Sequence, residues 1–234
     1  EEEETIALLQ EVVEQGIPVV NVLQDSTGSI RQCFVGNNSY NLGQDYGRQI
    51  LELLAEEKDT EEVGAAVKEP VRVLVLVDEN RMDTSQNLVL LGIRETLENA
   101  GVDADRVSVE TSLVDNSRGF SSEESIRDIF LDAGKLPDIL VCLSAVHTRC
   151  AYQAAVDYNK VGIVQMLGYY DSDAILEAVS KNILRSTIAL DTEQMGRLCV
   201  QALDEYVRTG YTNNYMAVDT RLITAEEAGR LVER

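Results

Sequence analysis

Gly16-Ile17-Pro18-Val19-Val20, then Val35-Gly36-Asn37-Asn38, then Gly43 at the head of an amphipathic helix, is the stretch that decides how this chain is read. Gly16 suits the left-handed residue that ends a helix, and Pro18 suits the first position of a strand. Val19, Val20 and Val22 suit a parallel strand buried on both faces. The order predicts helix, strand, loop, helix.

The same alternation continues outward from that stretch. Stripes of period 3.6 predict helices over 5–15, 40–56, 84–100, 122–133, 147–158, 172–180 and 192–209. Apolar, β-branched runs predict strands over 18–23, 71–77, 106–111, 139–143, 161–167, 186–190 and 216–223. Ser121-Ser122-Glu123-Glu124 and Thr224-Ala225-Glu226-Glu227 have the pattern of capping boxes. Strands alternating with helices of this length predict an α/β chain with parallel sheets covered on both faces and right-handed crossovers. The charged stretch 58–69 reads as a boundary between two lobes.

A chain of 234 residues with 44% hydrophobic and 26% charged residues is long enough for one sizeable core or two modest lobes. Its formal charge of -21 repels phosphate backbones and anionic membranes, which argues against nucleic-acid contact. No apolar run reaches the ~20 residues a membrane span needs, and no signal-peptide pattern opens the chain. It begins at Glu1 without Met and reads as a processed or excised piece. Cys33, Cys142, Cys150 and Cys199 lack metal-site spacing, and no disulfide pairing follows from them. No dinucleotide fingerprint, Walker loop, nucleophile elbow or zinc-protease motif is present, so the expectation is a non-enzyme without metal or cofactor. Asp25-Ser26-Thr27-Gly28-Ser29 looks like a phosphate loop, yet it lacks Lys and precedes no helix.

Further phrases carry a resemblance: Gly92 closing 85–92, Leu136-Pro137-Asp138-Ile139-Leu140-Val141-Cys142, Gly168-Tyr169-Tyr170-Asp171, and Thr187-Ile188-Ala189-Leu190-Asp191 running to Met195-Gly196. Together with the opening stretch they resemble the type I periplasmic solute-binding proteins, the ribose and galactose binders, and the related lactose-repressor-type effector domains. The resemblance implies a two-lobed parallel-sheet fold with a small ligand held between the lobes at the carboxyl ends of the strands. The first lobe would hold 1–68 and 191–213, the second 69–190 and 214–224, with 225–234 as a tail. The family's opening βαβαβ portion has no counterpart here, so the first lobe reads as truncated. Its exposed sheet edge would offer a route to self-association.

The residues that grasp sugar hydroxyls in the family fall, position by position, on other types here. Its Asp-Arg pair falls on Leu23 and Gln24, an Arg on Val89, an Asn on Ser144, an Asp on Tyr170 and a Gln on Leu190. The implied ligand-binding set is Leu23, Gln24, Asp25, Val89, Ser144, His147, Tyr169, Tyr170, Asp171 and Leu190, less polar than a sugar site requires. A one-residue shift would bring Asp25, Asp171 or Asp191 into such a site, with Asn80, Arg81, Ser144, His147 and Arg149 as helpers. His147 reads either as a ligand contact or as a polar residue near a helix start, and Tyr169-Tyr170 either as a stacking surface or as filler.

By resemblance, the chain is an extracytoplasmic solute-binding domain, membrane-anchored in its parent, that closes on a sugar-like or less polar ligand for an ABC-type importer. The alternatives are the sensing domain of a membrane receptor such as a histidine kinase, and the effector domain of a transcriptional repressor.

Overall fold

The computed structural model describes residues 2–23, 25, 30–59, 70–79, 84–115, 120–132, 134 and 136–233. In chain order the elements are α1 (Glu2–Glu14), β1 (Val20–Val22), β2 (Cys33–Asn37), α2 (Ser39–Asp59), β3 (Val71–Asp78), α3 (Thr84–Asn99), β4 (Val107–Val114), α4 (Ser121–Leu131) and β5 (Ile139–Cys142). Then come α5 (Ala145–Asp157), β6 (Gln165–Tyr169), α6 (Asp173–Ser180), β7 (Ser186–Leu190), α7 (Thr192–Thr209), β8 (Tyr215–Val218), β9 (Thr220–Thr224) and α8 (Ala225–Val232). Contacts divide the chain into two compact units, Glu1–Asn38 with Leu190–Arg221, and Ser39–Ala189 with Leu222–Arg234.

The larger unit is built on a six-stranded sheet of order β4-β3-β5-β6-β7-β9, in which β4, β3, β5, β6 and β7 are parallel neighbours. Its central strands bury both faces, which is why 73–77 reads as an unbroken apolar run. Along β3, Val73 and Val75 join a core with Leu42, Tyr46 and Ile50 of α2 and Ile93 of α3. Leu74 and Leu76 turn to the other face, among Phe130 of α4, Ala151 of α5, Ile175 of α6 and Ala228 of α8. The two-residue period of a strand thus sorts one sequence run into two cores.

Helices α2 and α3 cross at glycines. A Cβ on Gly43 would lie 2.2 Å from the Val89 carbonyl oxygen, and one on Gly92 would lie 2.3 Å from that of Tyr40. Only glycine permits backbones this close. This crossing places α2 in the larger unit.

The smaller unit has a three-stranded parallel sheet of order β1-β2-β8. Cys33 and Val35 of β2 and Met216 and Val218 of β8 pack against Ala202, Leu198 and Met195 of α7. On the other face the register aligns Asn21, Phe34 and Tyr215. The Phe34 and Tyr215 rings stack at 5.7 Å, with the Arg31 guanidinium 5.7 Å over Phe34.

Several expectations shift. Cys33–Asn37, read as leading into a loop, is strand β2. The single last strand over 216–223 is two strands in two sheets. They part at Asp219, whose N–H donates to the Gln194 side chain at 2.7 Å and whose carbonyl accepts from Asp191 N–H at 3.0 Å. The strand begun at 161 starts at Gln165, because 160–163 form a turn with Gly162 at φ 78. Neither capping box forms: Phe120 and Thr224 are the N-caps of α4 and α8 without side-chain caps, and Ser122 donates to the Asp115 carbonyl instead. Contacts divide the chain after Asn38, and of the stretch 58–69 expected as a boundary, 60–69 lie outside the described residues. Strand β8 joins the smaller unit, and α8, expected as a tail, packs on α6 in the larger one.

Candidate functional site

The strand order of the larger unit reverses between β3 and β5. The chain leaves β3 for β4 on one side, and the next strand, β5, pairs with β3 on the other. The helices that follow β3 and β5 therefore diverge, and open parallel sheets bind ligands in the crevice this leaves at the carboxyl ends of the strands. Asp78 ends β3 at that point, and Ser144 and His147 open α5 after β5.

Asp78 is a carboxylate closing the apolar run 73–77 of β3, only 7% exposed. His147 is 1% exposed, with Nε2 3.0 Å from Asp78 Oδ1. The approach lies off the ring N–H direction, so the contact is electrostatic rather than a well-formed hydrogen bond. A nitrogen lone pair facing a carboxylate is repelled, so this contact favours the tautomer with the proton on Nε2. Gln86, in the first turn of α3, donates Nε2 to Asp78 Oδ2 at 3.3 Å. His147 Nδ1 and Gln86 Oε1 are buried without a hydrogen-bond partner among the described residues.

The rest of the edge is held by backbone-directed side chains. Ser144 Oγ caps α5 by accepting from His147 N–H at 3.1 Å. Thr148 Oγ1 accepts from Tyr169 N–H at 2.9 Å, and Thr187 Oγ1 donates to the Tyr170 carbonyl at 2.6 Å. From the other face, the buried Tyr46 hydroxyl donates to the Cys142 and Gly168 carbonyls at 2.9 and 3.1 Å. Burial pushes the Tyr169 phenol up to about 12. Tyr170 is exposed and held at φ 81, a left-handed backbone that costs a non-glycine residue about 1–3 kcal/mol.

The structure gathers part of the expected set here: Ser144, His147, Tyr169 and Tyr170, with Asp171 half-buried beside them in sequence. Val89 is 4% exposed and packs in the core at the α2–α3 crossing. Leu190 ends β7 and is buried. In the smaller unit, Leu23 is exposed at φ 64 after β1. Asp25 is engaged by Arg31, whose Nε donates to it at 2.6 Å, and by Asn21 at 3.3 Å. Asp191 caps α7 by accepting from Gln194 N–H at 2.7 Å. Arg149 is exposed, and Gln24, Asn80 and Arg81 lie outside the described residues.

Sequence reasoning missed Asp78 and Gln86. A carboxylate closing the run 71–77 was the available signal for the first, because a charge at the end of a buried strand needs a partner. Among the described residues no group of three or more His, Cys, Asp or Glu is placed to hold a metal ion, and no helix is long and apolar enough to cross a membrane.

A family profile described as periplasmic binding protein domain matches residues 2–211. No curated protein sequence matches the chain. Among solved structures, one similar fold is GanP, a glucose-galactose binding protein from Geobacillus stearothermophilus, with TM-score 0.70 and 18% identity over 97% of this chain and 74% of that one. Another is a sugar ABC transporter (sugar-binding protein) from Bacillus halodurans, with TM-score 0.73 and 20% identity over 98% of this chain and 77% of that one. A third is a putative LacI transcriptional regulator from Bacteroides fragilis, with TM-score 0.73 and 14% identity over 98% of this chain and 74% of that one.

Proposed function

The chain belongs to the periplasmic binding protein domain family, and from that premise we propose that it is an extracytoplasmic solute-binding domain serving an ABC-type importer. Its ligand is a small hydroxyl-bearing solute whose body is less polar than a free monosaccharide. The observation that carries this reading is the make-up of the carboxyl edge of the six-stranded sheet. At the point where strand order reverses stand a few covered polar groups of Asp78, Gln86 and His147, and the same edge carries the exposed Tyr170 and the half-buried Tyr169. Small-molecule sites combine this way, with apolar or aromatic area supplying affinity and sparse polar groups supplying orientation. Two structures of similar fold are titled as sugar binders, which supports the hydroxyl-bearing part of the proposal.

The test is a thermal-shift screen that sets free pentoses and hexoses against phenyl glycosides. A ligand at a hundred times its Kd adds about 2.7 kcal/mol of stability, a rise of about 5–10 °C for a chain of this size. The expected result is such a rise with phenyl glycosides and little with free sugars. A comparable rise with a common free monosaccharide would overturn the less polar reading.

A further inference from the structure

Two buried acceptors remain to be accounted for at the reversal point. Nε2 of His147 lies 3.0 Å from Asp78 Oδ1, which suits the tautomer with Nε2 protonated, and in that tautomer Nδ1 is a bare acceptor. Gln86 turns its amide nitrogen to the same carboxylate, because Asp78 can only accept, and this turns Oε1 away from it. Both Nδ1 and Oε1 are covered from solvent and meet no donor among the described residues. Buried polar atoms in folded proteins are paired, and those that are not are commonly explained by a missing water, ion or ligand. Both side chains meet the same carboxylate, His147 Nε2 at 3.0 Å from Oδ1 and Gln86 Nε2 donating to Oδ2 at 3.3 Å, from helices α5 and α3.

We propose that His147 Nδ1 and Gln86 Oε1 form an acceptor subsite for the donor-bearing head of the ligand, a hydroxyl or a primary ammonium. This rests on the solute-binding reading and adds to it a chemical requirement: the head must donate hydrogen bonds. A ligand whose oxygens are capped cannot satisfy the subsite, and it leaves both acceptors buried and unpaired. Specificity follows from that asymmetry, because a site built around buried acceptors rejects an isostere that lacks the donor more strongly than it distinguishes two donors.

His147 is the chain's only histidine, so a histidine-labelled sample gives an imidazole nitrogen spectrum that needs no assignment. The experiment titrates the labelled 234-residue chain with phenyl β-D-galactoside, with 2-phenylethylamine and with per-O-methylated phenyl β-D-galactoside, following the imidazole nitrogens by NMR and affinity by calorimetry. The free protein should show Nε2 protonated and Nδ1 unprotonated. The hydroxyl or the ammonium probe should move the Nδ1 signal as it accepts a hydrogen bond, and the arm that moves it identifies the head. The per-O-methylated probe should bind at least tenfold more weakly and leave Nδ1 in place. Gln86→Leu should weaken the active probe about tenfold, and His147→Phe by a similar factor. Should the histidine variant fail to fold, Gln86→Leu and the wild-type spectrum still decide.

A protonated Nδ1 in the free protein would overturn the subsite. So would a probe that binds without moving Nδ1 and binds Gln86→Leu equally well, an outcome that leaves the solute-binding function intact. Failure of all three probes to bind would overturn both the subsite and the less polar ligand class on which it rests.

Discussion

Every residue of β5 and of β7 is buried, whereas β1 buries none fully and β8 alternates buried with exposed. The first pair lies inside a sheet packed on both faces by two large clusters of side chains. The second lies in a three-stranded sheet whose single core cluster faces α7. Both are parallel sheets in one chain, so strand direction does not set how deeply a strand is buried. What sets it is the number of helices available to cover the faces. The larger unit brings helices to both sides, and its stability should be correspondingly global. The smaller unit rests on a handful of buried side chains and should open at lower free energy.

The sharpest way to break this comparison is a matched pair of core truncations. Leu140→Ala, at the centre of the six-stranded sheet with no exposed surface, should cost about 3–4 kcal/mol. Its effect should reach every protected amide of the larger unit in native-state hydrogen exchange. Val35→Ala, equally buried in the smaller sheet, should cost about 1–2 kcal/mol, with faster exchange confined to β1, β2, β8 and α7. Equal losses spread over the whole chain would abolish the distinction drawn between the units.

A second test adds atoms rather than removing them. Gly43→Ala places a methyl group 2.2 Å from the Val89 carbonyl oxygen, so α2 and α3 must separate. The expected loss is about 2–3 kcal/mol, read as a lower denaturant midpoint with an unchanged slope. A neutral result would mean that the crossing relaxes without strain.

The smallest effect lies in alkali. Burial raises the Tyr169 phenol from an ordinary 10.0 to about 12, so folding favours its neutral form. The stability this contributes is complete below pH 10 and drains away as pH climbs from about 10 to about 12. Tyr169→Phe should flatten that limb of a stability-against-pH curve. Tyr215→Phe should leave it nearly unchanged, since Tyr215 in the smaller sheet is 41% exposed and solvent screens the partial burial that raises its phenol. An alkaline limb identical in wild type and Tyr169→Phe would remove Tyr169 from the account.

The larger unit was legible in the amino acids because its central strands carry continuous apolar runs, 73–77 and 139–142, which burial on both faces explains. The smaller unit was harder to read. Cys33-Phe34-Val35-Gly36-Asn37 mixes a glycine and an asparagine into five residues, and next to polar loops on either side it looked like part of them. The break at Asp219 was invisible for a different reason. It depends on Gln194 and Asp191 reaching it from α7, and side-chain hydrogen bonds between distant positions leave no periodic trace. The same limit explains the candidate site. Ser144, His147 and Tyr169 follow strand ends and were found by position. The depth of His147 and its pairing with Asp78 came only from folding, as did the loss of Val89 to the core.

The split of the last strands also has a temporal side. Gly36 and Tyr215, which meet in the smaller sheet, are separated by 179 positions. At translation rates of about 5–20 residues per second, β2 leaves the ribosome roughly 10–35 seconds before the strand that completes its sheet. During that interval every strand of the six-stranded sheet except β9 is synthesised. A nascent chain stalled before β8 would thus carry a largely assembled larger unit and an unfinished smaller one, vulnerable to protease and to chaperone capture at its N-terminal strands.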